Sequence, residues 1–302
     1  MSEERTRPSS ERHAEFLAQA DALRPELHRY CARLMGSVIE GEDVVQDTLV
    51  RALVALQDRE SKELPSLRPW LFRIAHNRAI DLLRSRGVRQ TEPIESALET
   101  PDPNSPDPLE TLLQQEVLKT AVSRFVELPL PQRSAVILKD LLGESLADIA
   151  SLLDLSVDAV KGHLARGRAS LREANRGAMA SPPVSAEPSA AVANYITLFH
   201  QRDWDSLRAL LASDVKLKQS SYPLRVGPKD VGMFFSIYAL CESIRLVPAL
   251  LEGREAIVVY EDPHSETPSH LMWLEWRDGQ IVYIRDYRYA SYIVDDAELT
   301  LL

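Results

Sequence analysis

Only two cysteines occur in 302 residues, Cys31 and Cys241, and neither belongs to a CxxC pair or a Cys/His cluster. A disulfide framework and structural zinc are thereby excluded as organising principles, and the usage fits a reducing cytoplasm. Long apolar runs are missing too: none reaches the roughly 18 uncharged residues that a membrane-spanning helix needs. The opening stretch, MSEERTRPSSERH, is polar and charged, with no apolar segment to act as a signal peptide. There is no internal repeat and no metal-ligand or cofactor motif. The expectation is a cytoplasmic chain with no membrane contact, no metal and no cofactor.

Positive charge is also in deficit. Thirty-five Lys and Arg face 45 Asp and Glu, a formal net charge of −10. That total excludes a uniformly basic nucleic-acid binder, but a phosphate backbone responds to local charge. Arg68 to Gln90 holds six Arg against one acid, and Ser156 to Arg176 holds five Lys or Arg against two acids. Between them, Thr91 to Glu116 holds seven acids and no base. Two basic patches parted by an acidic connector point to two separate nucleic-acid contacts.

What is present is ordinary globular material, 45% hydrophobic and 26% charged, in a chain long enough for two or three small domains. Pattern divides it into five stretches. Residues 11–90 read as helical. Residues 91–109, with five prolines and several acids, read as a linker. Residues 110–177 are helical again, and 178–189, containing SPPVSAEPS, form a second linker. From residue 190 to 302, two helical stretches, a strand near Asp214–Gln219 and a helix near Lys229–Leu240 precede the strand-like runs REAIVVYE, SHLMWLEW and QIVYIRDY. The Asp278-Gly279 pair between the last two is a hairpin signal.

Taken as a helix, Glu42–Gln57 places Val45, Thr48, Leu49, Ala52, Leu53 and Leu56 on one side as a core stripe. Asp43, Gln46, Asp47 and Val50 form a mostly polar and acidic stripe opposite, which by itself reads as a plain solvated face. In Pro69–Arg86 the core side is Leu71, Phe72, Ala75, Ala79, Leu82 and Leu83. The far side carries Trp70, Arg73, Asn77, Asp81 and Arg84. An outward Trp among Arg and Asn suits unpaired nucleic acid, the indole against a base and the Arg on phosphates. The other reading has Trp70 packed on a neighbouring helix.

Farther on, Ser145 and Asp148 form a capping signal before LADIASLL, Asp154-Leu155 makes a tight turn, and Ser156 caps a second helix. This is helix-turn-helix spacing. Val157, Val160, Leu164 and Leu171 face the core. Ala159, Gly162, Ala165 and Arg166 point away, with Lys161, His163 and Arg168 on the flanks. Small outward residues let a helix approach base edges while basic flanks reach phosphates.

GEDVVQDTLVRAL followed by RPWLFRIAHNRAIDLLRSR resembles region 2 of the extracytoplasmic-function (ECF) sigma factors of bacterial RNA polymerase. LPLPQRSAVILKDLLGESLADIASLLDLSVDAVKGHLARGRASLRE resembles their region 4. The resemblance implies that Asp43, Gln46 and Asp47 dock on the β′ coiled coil of core polymerase, with region 4 near the β flap. Trp70, Arg73, Asn77 and Arg84 would open the −10 element, and the loop Asp58 to Arg68 would capture a flipped base. Lys161, Gly162, His163, Arg166 and Arg168 would serve the −35 contact. Asp154 stands where the family has a turn Gly, and Gly162, His163 and Ala165 stand where Ser, Arg and His are common.

The opening of the last stretch, ANYITLFHQRDWDSLRALLASDVKLK, resembles the SnoaL-like, nuclear-transport-factor-like cone fold. The implied fold class is multidomain: two all-α sigma domains, a region 2 bundle and a region 4 helix-turn-helix, followed by an α+β cone-like domain. His200, Asp203, Tyr222, His264, His270 and Asp286 are the polar groups a cone interior would offer, with nothing in the sequence ordering them into an acid-base pair. Trp273, Trp276, Tyr283 and Tyr287 read as sheet core. The expected function is a sigma factor, not an enzyme, with its extension modulating the sigma regions through intramolecular contact. Two alternatives stay open: a helix-turn-helix regulator with a ligand-sensing domain, and a cone-fold enzyme.

Overall fold

The computed structural model describes residues 9–57, 66–86, 117, 120–177, 187–220, 222–241 and 243–302. The chain forms two compact units, residues 1–180 and 181–302. The proline-rich stretch 91–109 and most of the second linker lie outside the described residues.

In the first unit, α1 (Ser9–Met35) and α2 (Val38–Gln57) form a tight hairpin, and α3 (Leu67–Ser85) packs across both. Gly41 makes the hairpin's close approach feasible, because a Cβ there would lie 2.5 Å from the Ala32 backbone. The α2 core stripe is as its periodicity predicts at Val45, Thr48 and Ala52, all buried, while Leu49, Leu53 and Leu56 are half-buried. Val44 joins them inside. On α3, Leu71, Phe72, Ala75, Ala79 and Leu83 are buried and Leu82 is half-buried. Tyr30 meets Phe72 edge-on at 5.5 Å, tying α1 to α3.

The second helical block of this unit begins with a 3-10 turn (Val122–Glu127). It continues through α4 (Leu130–Val136) and a π turn (Ile137–Leu141) to α5 (Leu146–Leu153) and α6 (Val157–Gly177). The capping reading holds: Ser145 Oγ accepts from the Asp148 backbone N–H at 3.1 Å, and Ser156 Oγ accepts from Ala159 N–H at 3.1 Å. Asp154 closes α5 in the left-handed region with φ of 56°, a conformation Asp tolerates because its short side chain bonds locally. Val160, Leu164 and Leu171 are buried on α6, but Val157 is 38% exposed. Its place in the first helical turn sets it beyond the packed face, correcting its assignment to the core. Both helical blocks share one hydrophobic cluster.

The second unit has α7 (Ala190–His200), α8 (Trp204–Ala209), β1 (Leu211–Gln219), β2 (Arg225–Val226) and α9 (Pro228–Ala239). Strands β3 (Arg245–Leu251), β4 (Arg254–Tyr260), β5 (His270–Arg277), β6 (Gln280–Asp286) and β7 (Leu299–Leu301) follow, with a 3-10 turn (Ser291–Asp296) between β6 and β7 that packs on β5. The described strands form one sheet in the order β2-β1-β6-β5-β4-β3-β7. β1 and β6 run parallel and every other pair antiparallel, so the sheet is mixed rather than a pure meander. Tyr195, Phe199, Phe234, Phe235 and Tyr238 pack from the helices onto Leu217, Met272 and Ile284 of the strands. The hairpin signal is borne out, with Asp278 and Gly279 at φ of 52° and 77°, the pair of positive angles a tight primed turn requires. β3 carries Pro248 in mid-strand, which is why its pattern does not announce a strand.

Candidate polymerase and DNA contact surfaces

Asp43, Gln46 and Asp47 lie half-exposed along α2, and Val50 one turn on is 62% exposed. The stripe therefore exists as a surface, but its members differ. Gln46 Nε2 donates to Glu42 Oε1 at 3.1 Å, and Glu42 is buried in an ion pair with Arg24 at 3.3 Å. Asp47 accepts from Arg78 Nε at 2.8 Å and so is already engaged with α3. The Glu42–Arg24 pair escaped the sequence reading, since position alone does not distinguish a buried acid from its exposed neighbour.

On α3, Arg73, Asn77 and Arg84 are exposed. Trp70 is half-buried and packs against the helical core, so its indole is less open than an outward-facing residue would be. Residues 58–65 of the loop expected to take a flipped base lie outside the described residues. Arg68 at the end of that loop is held by Glu26, with Nε to Oε2 at 3.1 Å, and also pairs with Glu144 of the second helical block. The Glu26 carboxylate is the main reason its guanidinium sits above the usual arginine range.

On α6, Lys161, Gly162, His163 and Arg166 are half-exposed. Arg166 and His163 lie 3.2 Å apart through a guanidinium nitrogen and Nδ1. Arg168 has a different position. Its Nε donates to Oδ2 of Asp140 at 2.9 Å, and the Asp140 side chain is fully buried. Arg168 is thus committed to an internal ion pair, since releasing it would strand a buried carboxylate.

The two faces meet. A groove of about 550 Å³ is lined by His76, Asn77, Asp81 and Arg84 of α3 and by Leu130, Ser134, Leu155 and His163 of the second block. His76 accepts or donates at Nδ1 to the Tyr30 hydroxyl, 2.7 Å away, and burial lowers its pKa to about 4. It is therefore neutral near pH 7. Arg73 reaches across to the Ser151 carbonyl at 3.4 Å. Arg133 secures the contact: its guanidinium donates to the carbonyls of Leu34 at 2.6 Å and of Val126 and Leu128 at 3.0 Å each. Burial lowers its pKa to about 10, which leaves it charged at neutral pH.

The second unit's six polar candidates scatter, except for two. His200 Nε2 accepts from Leu246 N–H at 3.0 Å, Asp203 caps α8, and Tyr222 stacks on Tyr289 at 4.6 Å. His264 sits in a turn stabilised by Asp262. His270 and Asp286, by contrast, converge 3.4 Å apart. The Tyr238 hydroxyl is 2.9 Å from His270 Nε2 and 3.4 Å from Asp286 Oδ1, and Gln219 Nε2 donates to Asp286 Oδ2 at 2.7 Å. No local pattern signals this ordering, because its members come from β1, α9, β5 and β6. Asp286 is 0% exposed and His270 1%, so the cluster is sealed from any substrate in this conformation. Of the four aromatics read as sheet core, Tyr287 is buried and Trp276 packs on the core, while Trp273 and Tyr283 are half-exposed.

Burial raises the Asp286 pKa to about 6 and lowers that of His270 to about 3. The two act oppositely on stability. The raised Asp pKa favours the fold below the ordinary carboxylate range, and this contribution is lost as pH rises to about 6. The lowered His pKa favours the fold above the ordinary imidazole value and is lost as pH falls. The two dependences offset one another between pH ~4 and ~6. Asp286→Asn, with Gln219 turned to accept, is expected to stabilise the second unit at pH ~8 by about 2–3 kcal/mol. It should also unmask a loss of stability below pH ~6.5. Calorimetry of the full chain across that pH range checks both; an unchanged profile would count against a charged Asp286 at neutral pH.

Comparison with known proteins follows the same division. Residues 20–89 match the Sigma-70 region 2 family and residues 123–171 match Sigma-70, region 4. Two helical blocks of these kinds in this order define the sigma-70 class. The chain belongs to the ECF RNA polymerase sigma factors, being 32% identical over 138 residues to the ECF RNA polymerase sigma factor SigL of Mycobacterium tuberculosis, 76% of which it covers. It is similar to the RNA polymerase sigma factor NccH of Alcaligenes xylosoxydans xylosoxydans, 36% identical over 166 residues, covering 53% of this chain and 81% of that protein. It is also similar to the ECF RNA polymerase sigma factor SigG of Mycobacterium tuberculosis, 30% identical over 242 residues, covering 71% of this chain and 64% of that one. The chain thus spans slightly less than two thirds of SigG. Among solved structures, the extracytoplasmic function sigma factor SigJ of Mycobacterium tuberculosis covers 90% of this chain and 95% of its own, with 20% identity and a TM-score of 0.36. Nothing is carried across from it. No helix among the described residues is long and apolar enough to cross a membrane.

Proposed function

We propose that this chain binds core RNA polymerase in the cytoplasm and directs it to promoters, and that it has no catalytic activity of its own. The observation that carries the reading is the succession of a region 2 block and a region 4 block in one chain. Residues 11–90 would bind polymerase through Asp43, Gln46 and Asp47 and contact the −10 element through Trp70, Arg73, Asn77 and Arg84. Residues 110–177 would contact the −35 element through Lys161, Gly162, His163 and Arg166, with Arg168 bracing the helix from inside. Residues 190–302 would modulate the first two.

The shared groove supports a closed resting form. Two promoter elements some 25 base pairs apart are separated by about 85 Å along the duplex at 3.4 Å per step. Asn77, Arg84 and His163 front one groove, so this arrangement does not serve both elements at once, and the second block must leave the first for DNA to be read. The test is transcription from a cognate promoter by core polymerase supplemented with the purified chain. Promoter-specific transcripts are expected. Specific binding to duplex promoter DNA without polymerase, and no transcript with it, would favour a simple helix-turn-helix regulator. A chain ending near residue 180 should differ from the full chain in activity or core affinity; equality in both would remove the modulating role.

A further inference from the structure

We propose that the exposed corner of the second unit's sheet formed by β1, β6 and β5, on the side opposite α7, α8 and α9, binds single-stranded nucleic acid. Farther along that side Val258, Leu271 and Arg285 are buried, and the 3-10 turn Ser291–Asp296 packs on β5. On β1, Lys216 and Lys218 alternate with the buried Val215, Leu217 and Gln219, and so face away from the helices. Register sets Tyr283 of β6 beside Lys216, and Trp273 of β5 beside Arg285, itself across from Lys218. The Trp273 and Tyr283 rings meet edge-on at 6.4 Å and 80°. The guanidinium of Arg254, at the start of β4, lies 5.7 Å from the Trp273 ring centroid. Arg285 is buried, its guanidinium 5.1 Å over the Tyr287 ring, which leaves Lys216 and Arg254 as the exposed cations of this corner, with Lys218 half-buried beside them. Glu275 is the acid beside Tyr283, and Asp214 at the margin is taken by Arg277 at 2.5 Å.

This cation cluster runs against the charge of its surroundings. Residues 187–302 hold 11 Lys and Arg against 17 Asp and Glu, a net of 11 − 17 = −6. Two half-exposed aromatic rings beside two exposed cations offer stacking for bases and charge for phosphates. Paired bases hide their faces inside a duplex, so rings placed for stacking fit unpaired strands. Initiation by this family of proteins works on opened DNA, which supplies such a strand.

The test uses the full chain, a labelled oligothymidine of about a dozen nucleotides and fluorescence anisotropy at low salt. Lys216→Glu with Arg254→Glu changes two exposed side chains, and circular dichroism confirms that the fold is kept. This double variant should weaken binding about tenfold and flatten its salt dependence. Trp273→Phe, which keeps a stacking ring, should lose less. Trp70→Ala with Arg73→Ala should weaken binding separately, and the two losses should multiply in the combined variant. A Lys216→Glu/Arg254→Glu protein that binds as well as the parent overturns the proposal. So does displacement of the oligonucleotide by an equal concentration of oligoglutamate of the same length, which would make the face a site for acidic peptides.

Discussion

Replacing Arg133 by Ala is expected to loosen the second helical block from the first and to destabilise the first unit by about 3–5 kcal/mol. The side chain is buried, and its guanidinium serves three backbone carbonyls, one of them Leu34 on α1. Each hydrogen bond from a charged donor contributes about 1.5–3 kcal/mol, and a truncated side chain leaves the carbonyls without these donors. Arg133→Lys should recover only part of the loss, because an ammonium cannot reproduce the planar fork that spans carbonyls on separate segments. Urea unfolding measures the stability, and hydrogen exchange at α4 measures the loosening. A midpoint and exchange pattern like the parent's would show that the contact contributes little. If the closed form restrains DNA binding, promoter affinity should rise in Arg133→Ala even as stability falls.

Asp43→Lys should weaken binding to core polymerase by at least about a hundredfold, the scale of reversing one charge in a complementary interface. Asp43 is changed alone, with the melt of the free chain separating a docking loss from a folding loss. Asp47 is engaged by Arg78, so Asp47→Lys would set two cations together inside the first unit and confuse docking with folding. Sedimentation or surface-plasmon measurement with purified core polymerase reads the effect, and thermal melting of the free chain confirms that the fold survives. Retained affinity would argue that the stripe on α2 is only a solvated face. Reduced affinity with an unchanged melt would assign it to docking.

The helical blocks were legible because core periodicity, caps and turn residues agree there. Ser145, Asp154 and Ser156 each do what their side chains favour locally. Pairings over distance were not legible. Arg168 reads as a phosphate-reaching flank from its helical position, yet Asp140, 28 residues earlier, holds it. Arg133 binds backbone carbonyls, which every residue has, so no partner side chain signals the clamp. In the second unit, His270 and Asp286 were visible as polar groups, but Tyr238 looked like one more aromatic in a helix. Only the sheet's register and the packing of α9 bring the three together. Trp273 and Tyr283 alternate like core residues, and only the parallel seating of β1 beside β6 reveals the lysines that flank them.

The α1–α2 hairpin has a geometric consequence. At Gly41 the backbone of Ala32 fills the space that even a methyl group would need, so the two helix backbones meet directly there. Asp43 lies just beyond that crossing on α2, and Leu34, whose carbonyl Arg133 grips, lies just beyond it on α1. The acidic stripe and the clamp's anchor point therefore sit on the two sides of one tight helix crossing, carried by the same pair of helices.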